Sequence, residues 1–176
     1  MNGEELLTPE CIYGECKDAF LHEWERKKSL ENTANIYLSV YSIVLGFGLL
    51  KADEVGTLFE KAIFKHIIFG GIIFVSTFLL LYCLIRGLWK TIKAIQLQDY
   101  GTFPYPGQLI ERMQNKNKLV YLKSVSKYFA RQVDRNENEN KKKAEALKSS
   151  FAFIKVTVIC ACLIIISIIV LEIIGG

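Results

Sequence analysis

Val133–Ile154 reads VDRNENENKKKAEALKSSFAFI. Its first half is charged and Asn-rich, and its second half runs into the apolar stretch 156–171, VTVICACLIIISIIVL. No Gly or Pro interrupts the chain between Gly107 and Gly175. Without a breaker, the stretch predicts one helix that starts near residue 118 and continues into a membrane. Stepping from Leu119 at helical spacing gives Leu122, Val125, Phe129, Val133, Asn136, Asn140, Ala144, Leu147, Phe151 and Ile154. The mean step is about 3.5 residues, the coiled-coil period. The stripe is apolar at both ends and Asn in the middle. Phe129, Val133, Asn136, Asn140 and Leu147 are therefore the candidate seam, packed against copies of the chain or against a hairpin partner. A buried Asn in such a seam lowers stability but fixes register.

Outward from this helix, the composition is segregated. The 176 residues are 51% hydrophobic and 23% charged, with a mean hydropathy of +0.25. Two charge-free blocks, 32–50 and 67–85, join the C-terminal one. About 20 residues of helix cross a hydrocarbon core of about 30 Å. The last block meets that length as 151–174 if Lys155 snorkels to the headgroups. Asn32 and Asn35 make the first block the weakest of the three. MNGEELLTPECIYGECKDAF lacks the apolar centre of a signal peptide, so the first span is expected to act as its own insertion signal.

The expected fold is an all-α integral membrane protein with three transmembrane helices and a long cytoplasmic helical hairpin. Its parts are an acidic N-terminal helix (1–31), the first span (32–50), a short external loop (51–66), the second span (67–85), a basic hairpin (86–150) and the third span (151–174). Thr8-Pro9-Glu10 reads as a helix N-cap with Pro in the first turn. GTFPYPG at 101–107 holds two Pro and two Gly and reads as the turn of the hairpin. Lys and Arg are concentrated in 86–155 and beside the first span, which places both segments and the N-terminus in the cytoplasm.

Residues 1–31 carry eight acids and four bases; 86–155 carry fifteen bases and six acids. The acidic segment could dock on the basic one, with Glu23 and Glu25 as gating residues. Lys127, Arg131, Arg135 and Lys141–Lys143 (Lys141, Lys142, Lys143) could bind an anionic ligand such as a nucleotide. The same bases also serve topology and contact with anionic headgroups. In the last span, Thr157, Cys160, Ile164, Ser167 and Leu171 recur on one face, which reads as pore-lining or helix-packing.

Five Cys and two His lack the spacing of a metal or disulfide framework. No phosphate-binding Gly loop, nucleophile–base set or apolar carboxylate pair stands out, so neither catalysis nor a cofactor is expected. The run NENENKKKAEALKSSFAFI resembles small prokaryotic membrane effectors of antiviral defence: SLATT-like, Pycsar-type and Hailong-type effectors. The resemblance implies a bacterial inner-membrane location, homo-oligomerisation and a nucleotide signal made by a partner enzyme; duplex nucleic acid is not an expected partner. The leading expectation is a ligand-gated ion channel that disrupts the membrane during phage defence. The rival is a non-conducting anchor or adaptor that recruits a cytosolic partner.

Overall fold

The structure, a computed structural model, describes residues 8–50, 53, 56–57, 60, 67–96, 100–101 and 117–175; at 49, 171, 172, 174 and 175 only the backbone is described. These residues form three long helices: α1 (Pro9–Leu50), α2 (Ile67–Gln96) and α3 (Lys118–Gly175). Among the described residues there is no strand. α1 starts where the sequence places a cap: Thr8 Oγ1 accepts from the Cys11 N–H at 3.3 Å, and the Thr8 carbonyl takes the first helical bond from Ile12. Asn117 plays the same part for α3, its Oδ1 accepting from the Leu119 N–H. With no internal Gly or Pro before its last residue, α3 continues for 58 residues.

Asp53, Gly56, Thr57 and Glu60 are helical, although 51–66 reads as a loop from sequence. The rest of that stretch lies outside the described residues, as do positions 102–107 of the expected turn. α1 passes through 31 and 32 as one helix.

The chain divides into two compact units, one formed by Met1–Glu31 with Leu97–Lys143 and one by Asn32–Gln96 with Ala144–Gly176. We refer to them as the polar and the apolar unit. The polar unit has an aromatic core in which Phe20, Val125 and Phe129 are buried and Tyr13, Cys16, Tyr121 and Val133 pack around them. The Phe129 ring lies 5.4 Å from Phe20 and 5.9 Å from Tyr13, centroid to centroid. A Lys118–Glu10 ion pair of 3.0 Å ties the first turns of α3 and α1.

The apolar unit inverts the usual arrangement. Its buried positions are mostly small or hydroxyl-bearing: Ala34, Ser76, Cys83, Thr91, Ala94, Ser150, Thr157, Cys160 and Ser167. Large aliphatic and aromatic side chains such as Ile68, Val75, Phe78, Ile85, Ile159 and Ile166 are exposed. Small residues let helices approach closely, while the outer apolar surface suits lipid rather than water. Two helices, α2 and the α3 segment through Val170, are long and apolar enough to cross a membrane.

Candidate functional site

The polar unit buries charged and amide side chains that would be costly without partners. Glu23, Asn136, Glu139, Asn140 and Lys143 are each at most 8% exposed. Asn140 joins three chain segments. Its Nδ2 donates to the Glu23 carbonyl at 2.9 Å and to Glu23 Oε2 at 2.7 Å, and its Oδ1 accepts from the Tyr100 hydroxyl at 2.6 Å. Oxygen-only acceptors on one side and a hydroxyl on the other fix which amide atom is which. One turn earlier on α3, Asn136 Oδ1 accepts from the Gly101 N–H at 2.8 Å, and its Nδ2 donates to the Gly101 carbonyl at 3.4 Å. The two amides thus hold the residues that follow α2 against α3 through one side chain and one backbone unit.

Charge closes the lattice. Lys143 Nζ meets Glu31 Oε1 at 3.0 Å, and Lys27 reaches the same oxygen at 3.9 Å. Both ammonium groups also lie near the Tyr100 ring, 4.4 Å for Lys27 and 4.8 Å for Lys143 from its centroid. Lys27 stacks on Trp24 as well. Burial pushes the Tyr100 hydroxyl up to about 12, helped by the carboxylates of Glu31, Glu139 and Glu23 and partly offset by Arg26.

The six basic ligand candidates are divided by the structure. Lys127, Arg131 and Arg135 are spaced at four-residue steps along α3; Lys127 and Arg131 are exposed, and Arg135 is exposed as well. Lys141 pairs with Glu137 at 2.7 Å, which holds that carboxyl below its usual range, and Lys142 pairs with Glu139 at 2.6 Å. Lys143 is not a surface base at all: it is 1% exposed and engaged with Glu31. The two gating candidates also separate. Glu23 sits in the lattice beside Arg26 at 3.5 Å, whereas Glu25 is exposed. Of the seam positions, Phe129, Asn136, Asn140 and Leu147 are buried and Val133 is half-buried; Leu119, at the start of the stripe, is exposed.

The apolar unit contains a second polar knot. Tyr41 Oη donates to the Ser150 carbonyl at 2.9 Å and lies 3.0 Å from Ser150 Oγ. Thr91 Oγ1 is 2.7 Å from the same Ser150 hydroxyl, and both Ser150 and Thr91 reach the Gly87 carbonyl, at 3.2 and 3.0 Å. Gly87 allows this closeness, since a Cβ there would strike the Tyr41 ring. The small face of the last span lies farther along α3. Thr157, Cys160 and Ser167 are buried within the chain and Ile164 is half-buried; of Leu171 only the backbone is described.

Tyr100, Gly101, Glu31, Lys27 and the Tyr41–Thr91–Ser150 knot were not singled out by sequence. Each is a long-range pairing, and the one local signal was the start of the expected turn at Gly101. Among the described residues no group of three His, Cys, Asp or Glu could hold a metal ion. Chemically, the lattice is a set of matched donors, acceptors and charges. Protein-family models, curated proteins and solved structures were compared with the chain, and none matches.

Proposed function

We propose that the protein is a homo-oligomeric ion channel of the bacterial cytoplasmic membrane, opened by a nucleotide signal and acting as a membrane-disrupting effector in phage defence. On this reading the polar unit is cytoplasmic and three helical segments enter the bilayer. The observation that carries the proposal is the continuity of α3. One unbroken helix holds Asn136, Asn140 and Lys143 near its middle and an apolar stretch long enough to cross a membrane at its end. A change in the polar lattice therefore has a stiff element through which to act. The exposed Lys127, Arg131 and Arg135 supply the cations for a phosphate-bearing ligand. Thr157, Cys160 and Ser167 serve as helix contacts. The resemblance of the Asn/Lys-rich run to defence effectors supplies the biological setting.

Ion flux from liposomes holding the purified protein tests the proposal, alone and with a panel of cyclic and linear oligonucleotides. Ligand-dependent flux is expected. Folded, oligomeric protein that passes no ions under any condition overturns it.

A second reading is favoured by one observation. Ile12, Leu21, Leu119 and Val120 of the polar unit are exposed apolar side chains. An adaptor that anchors a cytosolic partner would use them. Replacing them with Ser would abolish recruitment in an adaptor and leave flux intact in a channel.

A further inference from the structure

α1 and α3 run parallel through the polar unit, since Glu10 pairs with Lys118 and Glu31 with Lys143. They touch through one face each: the Phe20 ring packs on Phe129, and Glu23 bonds Asn140. The faces turned away from these contacts carry opposite charge. On α1, Glu15, Asp18 and Glu25 are exposed at steps of three and seven residues, one side of a helix, with His22 among them. On α3, Lys123, Lys127, Arg131 and Arg135 are exposed at four-residue steps, a stripe that winds slowly around the helix, with Asp134 beside it.

Two features single out these faces. The first is that the chain pairs its other acids and not these. Glu10, Glu23, Glu31, Glu137 and Glu139 each meet a base. Among the described residues no base pairs with Glu15, Asp18 or Glu25. The second is height. The acids run from five residues before Phe20 to five after it, and the bases from six before Phe129 to six after it. The Phe20 and Phe129 rings are 5.4 Å apart, so the two stripes are centred at one level along parallel helices.

We infer that the Glu15–Asp18–Glu25 face of one copy docks on the Lys123–Lys127–Arg131 face of the next, so that the polar units join head to tail in a closed ring. The inference rests on the homo-oligomer of the proposed reading and names the surface that builds it. Two complementary faces on opposite sides of one unit, at one height, are brought together by rotation about an axis along the helices. With no rise along that axis the contact repeats until the ring closes, whereas a rise would give an open filament. Either face meeting itself would set acid on acid or base on base. An anionic ligand alone would cover the bases and leave the acids bare; a second copy covers both. A phosphate-bearing ligand would then compete with the neighbour's acids for Lys127 and Arg131.

The test is disulfide cross-linking of the full-length protein in membranes, in a background without the native cysteines. A chain carrying both Asp18→Cys and Arg131→Cys should form an inter-chain ladder beyond the dimer under mild oxidation. A chain with either cysteine alone should not cross-link, because each face meets the other kind. Adding Glu15→Lys and Glu25→Lys to the double-cysteine chain should abolish the ladder, and adding Lys123→Glu and Lys127→Glu as well should restore it. Raising KCl from about 0.1 M to about 1 M should lower the yield, since the screening length falls from about 10 Å to about 3 Å. Dimers from either cysteine alone, no ladder from folded protein that subunit counting shows to be oligomeric, or a ladder that the second reversal does not restore each overturn the inference and leave the homo-oligomer standing. Wild type that counts as a monomer in membranes overturns both.

Discussion

The side-chain amide of Asn136 brackets the backbone of Gly101, accepting from its N–H and donating to its carbonyl. Both groups are buried, and Asn136 itself is 0% exposed. Asn136→Leu keeps the volume but leaves a backbone donor and acceptor without this partner, a loss of about 1–3 kcal/mol. Asn136→Asp retains the acceptor but sets a buried carboxylate against the Gly101 carbonyl, so its loss should exceed that of the Leu variant. Thermal unfolding of detergent-solubilised protein, followed by Trp fluorescence, should rank the midpoints wild type, Leu, Asp. Equal midpoints for Leu and wild type would mean that water replaces the amide without cost.

Tyr100 makes the lattice sensitive to alkali. Its hydroxyl is pushed up to about 12 from an ordinary value of 10.0. The folded state therefore holds the phenolic proton more tightly than the unfolded state. The associated stability is fully present below pH 10 and is lost as pH rises from about 10 through about 12. A difference titration of phenolate absorbance, wild type minus Tyr100→Phe, should show one late-titrating tyrosine. Tyr100→Phe should also flatten the fall of stability across that range. It should lower stability at neutral pH, because Asn140 Oδ1 loses its 2.6 Å donor.

The sequence made one side of this lattice visible and hid the other. The step of about 3.5 residues marks Leu122, Val125, Phe129, Asn136, Asn140 and Leu147 as one face, and these are buried. Periodicity reports that a face is covered, not what covers it. Here the cover includes Glu23, 117 positions away, and Tyr100, 40 positions away. Lys143 illustrates the same limit. In a run of three lysines nothing local distinguishes the buried one; only Glu31 and the Tyr100 ring select it. The helical state of Asp53 and Glu60 was masked by their charge, which favours a loop in any reading based on hydropathy. The caps at Thr8 and the unbroken run of α3 were legible because both depend on neighbours in sequence.

The Lys143–Glu31 pair should respond asymmetrically to mutation. Lys143 is almost fully buried, while the Glu31 side chain is 36% exposed and also has Lys27 nearby. Glu31→Gln leaves a buried ammonium without its carboxylate, a loss of about 3–5 kcal/mol when such a pair is broken from one side. Lys143→Met removes the buried charge and leaves Glu31 with Lys27 and solvent, so it should be milder. The double variant should be more stable than Glu31→Gln alone. A double-mutant cycle on unfolding midpoints checks the order, and additive losses would show that the pair is not coupled.

Gly87 and Tyr41 form a size-complementary contact between α2 and α1. A Cβ on residue 87 would collide with the Tyr41 hydroxyl and ring, with ring carbon Cε1 at 2.9 Å. The ring is 1% exposed and cannot move aside without breaking its bonds to Ser150. Gly87→Ala should therefore destabilise the protein by about 1–3 kcal/mol, the usual range for forced overpacking. Tyr41→Phe should not rescue it, because the ring carbons remain in place. Tyr41→Leu is less favourable by itself, since it abandons Ser150, yet it vacates the space that the added methyl needs. The pair Gly87→Ala with Tyr41→Leu should be more stable than the two single losses predict. Unfolding midpoints of the four proteins decide the matter. Rescue by Phe would place the conflict at the hydroxyl alone, and absence of rescue by Leu would show that the helices relax around the added methyl without involving Tyr41.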